Sequence, residues 1–266
     1  MDRISEPQIS PDGRLVVFVV RETDLQANRG RTDLWLVSTT GEGLRRLTSS
    51  PEADSNPRWS PDGRTVWFLS GRSGSSQVWK IAVDGGEAQQ VTEEPLDVGN
   101  LHVSRDGAYI AYTMEVFPDA NAADTKKRLD EREKAKSSGQ IYDRLFVRHW
   151  DVWEDGRRSH LFVKPVAGGR SVDVMRGMAS DVPSYPFGGP EEITFAPDNK
   201  GIVFSTKDVG REEAWSTDFD LYYAPVDGSQ SPRNLTEDNP AWDSYPAFSP
   251  DGKTLAYLAM ARPGFE

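Results

Sequence analysis

Three recurring features predict an all-β chain made of repeated four-stranded units. The tetrad Ser-Pro-Asp-Gly stands at 10–13, 60–63 and 249–252, with degenerate copies Ser104-Arg105-Asp106-Gly107 and Ala196-Pro197-Asp198-Asn199. A short run rich in apolar residues follows each copy. Further on come an aromatic-bearing run and a closing apolar marker, and these two keep a spacing of 12 or 13 residues in all four complete units.

The tetrad is a turn by its own chemistry. Pro takes the second position of a type I turn, Asp suits the third, and Gly or Asn accepts the left-handed position that follows. Such a turn closes a tight hairpin with a bulge. The runs after it hold Leu15, Val16, Val17 and Phe18; Val66, Phe68 and Leu69; Ile110 and Tyr112; Ile202, Val203 and Phe204; and Leu255, Ala256 and Tyr257. Alternating apolar runs bounded by turns read as strands. A further strand carries Trp35, Trp79, Phe162 or Tyr222 and ends in a Gly turn such as Val83-Asp84-Gly85 or Val226-Asp227-Gly228. The closing markers are Leu47-Thr48, Val91-Thr92, Val174-Met175 and Leu235-Thr236.

Four-stranded units of about 40–50 residues are the blades of a β-propeller. The spacings predict one partial propeller domain over 1–266. Its blades fall at about 1–50, 51–95, 96–178 and 183–238, with a half-blade at 241–262. That makes about 4.5 blades, an incomplete ring. A ring closes to protect its edges, so the expectation is a piece of a larger propeller. Blade 3 carries a charged insertion at 117–140. Its centre, DTKKRLDEREKAK, is composed of helix formers, with Lys127–Glu131 and Asp130–Lys134 at i,i+4 spacing. It is polar nearly all round, which suits a solvated short helix.

The composition narrows the function. The 266 residues hold 31 Lys+Arg against 42 Asp+Glu, a net charge of −11, and this argues against nucleic acid as a partner. There is no Cys, which removes disulfides, thiolate metal sites and cysteine catalysis. His102, His149 and His160 lack metal-ligand spacing, and no metal or cofactor is expected. No apolar run approaches the roughly 20 residues of a spanning helix, and the N-terminus has no apolar signal core. No membrane partner is expected, and cytoplasmic and periplasmic locations both stay open.

The segments RLFVRHWDVWEDGRRSHLFV (144–163), PFGGPEEITFAPD (186–198) and GREEAWSTDFDLY (210–222), together with the repeats and the insertion, resemble bacterial serine peptidases of the prolyl oligopeptidase family, nearest its acylaminoacyl-peptidase and dipeptidyl-aminopeptidase branch. The tetrads alone are less specific, because TolB-like propellers share them. The resemblance implies a propeller that caps a C-terminal α/β-hydrolase domain and restricts entry to peptides. That catalytic domain is absent here. No G-x-S-x-G nucleophile elbow occurs, and Gly71-Arg72-Ser73-Gly74-Ser75 lacks the final Gly. No His has an evident Ser and Asp partner, so no residue of this chain is expected to be catalytic.

The expected function is therefore the substrate-gating propeller part of a serine peptidase that acts on peptides, of acylaminoacyl- or dipeptidyl-peptidase type. Its expected partners are a peptide substrate, the hydrolase domain of the same parent chain, and a second copy joined through exposed blade edges. The alternative is a non-enzymatic TolB-like interaction module completed by a partner chain.

Two clusters are candidate substrate contacts. Glu212 and Glu213, followed by Trp215, set two carboxylates beside an aromatic ring, which suits an ammonium group. The resemblance implies the same, since related dipeptidyl peptidases hold the substrate's α-ammonium with paired propeller glutamates. Glu93-Glu94 and Glu191-Glu192 are pairs as well, and the alternative is a solvated loop or a contact to the next blade. Arg148, His149 and Trp150, with Trp153 and Glu154, are dense for a loop. They suit either a chamber mouth, with Arg148 on a peptide carbonyl or carboxylate, or aromatic packing that anchors the insertion. The recurrent Asp12, Asp62, Asp106, Asp198 and Asp251 are explained by the turn, and His102 and His160 read as structural.

Overall fold

The computed structural model describes residues 2–137 and 139–264. It contains four four-stranded antiparallel sheets and a two-stranded fifth, the blades of a β-propeller. The first sheet holds β1 (Arg3–Ile9), β2 (Leu15–Asp24), β3 (Arg29–Ser38) and β4 (Arg45–Arg46). The second holds β5 (Asp54–Trp59), β6 (Thr65–Ser70), β7 (Gln77–Ala82) and β8 (Gln89–Gln90). β9 (Gly99–Val103) and β10 (Tyr109–Val116) begin the third. Helix α1 (Ala122–Glu133) and a small hairpin, β11 (Arg148–His149) with β12 (Val152–Trp153), intervene before β13 (Arg158–Pro165) and β14 (Val172–Asp173) complete it. The fourth holds β15 (Ile193–Phe195), β16 (Gly201–Thr206), β17 (Asp220–Pro225) and β18 (Arg233–Asn234). β19 (Asp243–Phe248) and β20 (Leu255–Ala259) make the fifth.

The chain divides into two compact units between Ile110 and Ala111, within β10. The first unit has a core of Val17, Val19, Leu34, Leu36, Val66, Phe68 and Ile81 between its first two sheets. In the second unit Leu161, Val163, Ile202, Phe204 and Leu221 are buried. The second strands β6 and β16 are buried on both faces, or nearly so. Simple alternation therefore fades there, because a blade's middle strand is covered on both sides.

The tetrad forms the same turn each time. The Ser10 hydroxyl donates to Asp12 Oδ1 at 2.6 Å and accepts the Leu15 N–H at 2.9 Å. Ser60, Ser104 and Ser249 repeat this arrangement. Gly13, Gly63, Gly107 and Gly252 take φ near +70°, and Asn199 takes +56°, a region where only Gly and Asn are at ease. Within each unit, successive turns also pack on one another. A Cβ on Gly107 would stand 3.2 Å from Pro61, and one on Gly252 would stand 2.8 Å from Pro197.

The closing Thr is a lock. Thr48 Oγ1 accepts the Leu34 N–H at 2.9 Å and faces Asp33; Thr92 accepts from Val78 and donates to Gln77; Thr236 accepts from Leu221 and donates to Asp220. The third sheet, with Met175 in that place, uses other parts. Met175 Sδ accepts the Leu161 N–H, and the fully buried His160 bonds Asp173 through Nδ1 and the Met178 carbonyl through Nε2. The innermost strands carry a further repeat, a bulge with positive φ at Glu6, Asn56, Asn100 and Tyr245. Glu6 accepts the Asn56 N–H, and Asn56 Oδ1 accepts the Leu101 N–H at 2.7 Å, so bulge residues tie one sheet to the next.

The insertion forms α1. Asn121 caps it by accepting the Asp124 N–H. Its ion pairs differ from the expected ones: Lys126 meets Asp130, and Arg128 meets Asp119 in a bidentate bond. Thr125 is its buried residue, and Arg128 and Arg132 cover the Phe117 ring.

Candidate functional site

The chemistry of the second unit gathers around Arg158, which opens β13. Its guanidinium binds Glu213 bidentately at 2.7 and 2.6 Å and Asp181 at 2.8 Å. Asp181 also accepts the Ser159 N–H at 2.7 Å. Lys207, just past β16, donates to the carbonyls of Glu213 and Ser216 and covers the Phe219 ring. Burial works against the Arg158 charge, but the bonds and charges of Glu213 and Asp181 outweigh it, and its pKa goes up. Burial pulls the Lys207 pKa down.

Glu154 completes the group. It follows the hairpin β11–β12, with its N–H on the Val147 carbonyl. Burial raises its pKa; Arg158 opposes this, and Asp181 and Glu213 add to it. Glu154 and Arg158 line a cavity of about 750 Å³ bordered by Tyr142, Phe146, Asp155 and Ala179. Three carboxylates thus share two cations, and of these three it is Glu154 that lines the cavity, whose wall also holds Asp119, Asp143, Asp155, Arg132 and Arg144. Such a site attracts a cation. Tyr185 joins it to a ring cluster. Burial raises the Tyr185 pKa, and the charges of Glu154 and Asp181 raise it further. His149 lies edge-on to Tyr185 at 4.9 Å and beside Trp150 at 5.2 Å, and Trp150 meets Phe187 at 5.8 Å.

The residues singled out in the sequence are distributed unevenly. Glu213 is in the cluster, already bound to Arg158. Glu212 is exposed on the short turn before it, and Trp215 is 75% exposed. Arg148 donates to the Trp150 carbonyl, while His149 and Trp150 join the ring cluster through Tyr185 and Phe187. His160 does gain an aspartate partner, Asp173, but its Nε2 is spent on a carbonyl. Sequence reasoning missed Arg158, Asp181, Lys207 and Tyr185. Arg158 and Lys207 showed only charge beside a strand end, which many surface residues share, and Asp181 and Tyr185 lie in the connection between β14 and β15 with no local signal.

The sheets and turns match a known family along half of the chain. Residues 2–139 match the TolB beta propeller domain, and the chain belongs to that family. Two relatives extend the likeness over the whole chain. It is 33% identical to dipeptidyl-peptidase 5 of Porphyromonas endodontalis and 30% identical to dipeptidyl-peptidase 5 of Porphyromonas gingivalis; both matches cover 100% of this chain and 38% of the relative. The chain therefore spans under two fifths of the length of these relatives. Among solved structures, the Pyrococcus horikoshii acylaminoacyl peptidase shares the fold with a TM-score of 0.59 at 16% identity, over 88% of this chain and 32% of that one.

Proposed function

We propose that this chain is the propeller part of a longer serine peptidase of dipeptidyl-peptidase type, and that it receives the free amino end of a peptide at the carboxylates around Arg158. The observation that carries the reading is the 33% identity to a dipeptidyl-peptidase 5 along all of this chain. Glu154 supports the second half, because it faces a cavity large enough for a dipeptide and lies beside two further acids. Arg158 neutralises Glu213 and holds it in place. Glu213 then adds field without being the first contact, and Glu212 and Trp215 stand outside the group. His149 and Trp150 contribute an aromatic rim through Tyr185 and Phe187, and Arg148 holds the Trp150 carbonyl. The acyl transfer itself belongs to a hydrolase domain encoded beyond residue 266, where a G-x-S-x-G elbow is expected.

The test is calorimetric titration of this chain with Gly-Phe amide and N-acetyl-Gly-Phe amide. The free amine is expected to bind at least about tenfold more tightly, the scale of one charge-assisted contact. Glu154→Gln is expected to remove that preference. Equal affinity for the two ligands overturns the ammonium reading. A second reading, a non-enzymatic interaction module, is favoured by the TolB family match itself. It predicts a defined complex in light scattering and no preference between the two peptides.

A further inference from the structure

Away from that site, the second unit holds buried carboxylate oxygens without a cation. Asp243 opens β19 with its side chain fully buried. Its Oδ1 accepts the Asn239 amide at 2.7 Å, while its Oδ2 is buried and meets no donor. Asp218 repeats the defect at its own buried Oδ1. Asp220, nearby, is held by Asn234 at 2.7 Å and Thr236 at 3.2 Å. Burial raises the pKa of both Asp218 and Asp243. Neighbouring acids push the same way, and the Asn239 hydrogen bond, with the Thr236 hydroxyl close by, pulls Asp243 back. Among the described residues, no Lys or Arg is among the charges acting on either acid. An uncompensated buried carboxylate is among the costliest groups a fold can hold.

The second sheet shows what occupies the equivalent place. Asp54 opens β5 and registers with Ser70, as Asp243 registers with Ala259. Arg72, two residues past Ser70, sets Nη2 2.7 Å from both Asp54 oxygens and covers the Phe68 and Trp79 rings. In the fifth sheet Arg262 stands three residues past Ala259, and its side chain is exposed.

The backbone on either side of Arg262 is pinned around the acids. The Met260 N–H donates to the Trp242 carbonyl at 2.9 Å, and Asn239 reaches the Met260 carbonyl at 3.2 Å. The Gly264 N–H donates to Thr217 Oγ1 at 2.8 Å. Trp242 immediately precedes Asp243, and Thr217 immediately precedes Asp218. Arg262 is two residues from either anchor, so its Cα stays within about 7 Å of both. Phe219 and Trp242 stack at 4.3 Å, an aromatic pair next in sequence to the two acids, as rings flank Arg72. No group of three or more acids among the described residues is placed for a metal ion. A planar guanidinium with several donors suits separated oxygens better.

We propose that Asp243, with Asp218, forms a guanidinium site that Arg262 enters, a latch that ties the 260–264 segment to the second unit.

Thermal denaturation of this chain, of Arg262→Ala, of Asp243→Asn and of the double variant tests the latch at pH 7 and low salt. Arg262→Ala is expected to lower Tm by roughly 3–6 °C. In the Asp243→Asn background the same change is expected to cost less than about 1 °C, because the two residues are coupled. Millimolar ethylguanidinium is expected to restore part of the Tm of Arg262→Ala and none in the double variant. An unchanged Tm for Arg262→Ala, or simple additivity of the two substitutions, overturns the latch. If Asp243→Asn does not fold, Asp218→Asn with Arg262→Gln runs the same cycle.

Discussion

One hydroxyl, repeated, organises much of this chain. Ser60 Oγ binds Asp62 at 2.6 Å and accepts the Thr65 N–H at 3.0 Å, in a place that is nearly closed to water. Ser60→Ala is expected to cost about 1 kcal/mol, since it orphans a strand N–H. The fourth sheet offers the converse. Ala196 occupies the same position without a hydroxyl, while its turn keeps the Asn199-to-Ala196 backbone bond at 2.8 Å. Ala196→Ser is expected to raise stability by about 0.5 kcal/mol; urea denaturation measures both variants, and no loss for Ser60→Ala, or a loss for Ala196→Ser, would show that the turn does not depend on its hydroxyl. His160 makes a larger claim. Both of its ring nitrogens face acceptors, so His160→Ala leaves Asp173 and the Met178 carbonyl unpaired beside a cavity. A loss of roughly 3 kcal/mol is expected. Near-neutral behaviour in the same assay would remove His160 from the lock of the third sheet.

At the scale of the element, the sheets were readable because each tetrad sets its own turn within four or five residues. The Leu-Thr marker was legible as a marker, but its job was not. Thr92 accepts the Val78 N–H and donates to Gln77, contacts across 14 and 15 residues that appear only once β7 and β8 have paired. Thr92→Val is expected to cost about 1–3 kcal/mol, the range for a buried donor left unmade. A guanidinium midpoint unchanged from the parent would mean that the strand N–H finds water. The bulges at Glu6, Asn56, Asn100 and Tyr245 went unread for a related reason: Glu6 and Tyr245 are poor indicators of positive φ, and the sheet-to-sheet bonds that Glu6 and Asn56 make are long-range. The candidate site was the least legible. Arg158 and Glu213 lie 55 residues apart and meet through the packing of the third and fourth sheets. The adjacent pair Glu212-Glu213 drew attention as a unit, yet the fold turns one inward and leaves the other in solvent.

For the whole molecule, two sets of carboxyls oppose each other as pH changes. The tetrad acids Asp12, Asp62, Asp106 and Asp251 are held below their usual range, chiefly by Ser hydroxyl and backbone N–H bonds. What they contribute is present above about pH 4 and lost on further acidification. Glu192, Glu154 and Asp33 are shifted upward, each mainly by burial. Their native forms hold protons that the unfolded chain has released, so stability falls as pH rises from about 4.5 through their raised values, and the full penalty remains above them. The expected curve rises out of acid, peaks at mildly acidic pH and declines toward neutrality. The net charge of −11 deepens that decline, because self-repulsion grows as the last acids ionise, and added salt should lessen it. Glu192 is the sharpest test of the buried set. It is 2% exposed and takes both the N–H and the hydroxyl of Ser184, at 2.6 and 2.7 Å. Glu192→Gln cannot ionise and should narrow the Tm difference between pH 5 and pH 8, even if it lowers both values by spoiling one of the Ser184 bonds. A variant whose Tm difference matches that of the parent would show that Glu192 is ionised throughout, with Ser184 stabilising its charge fully.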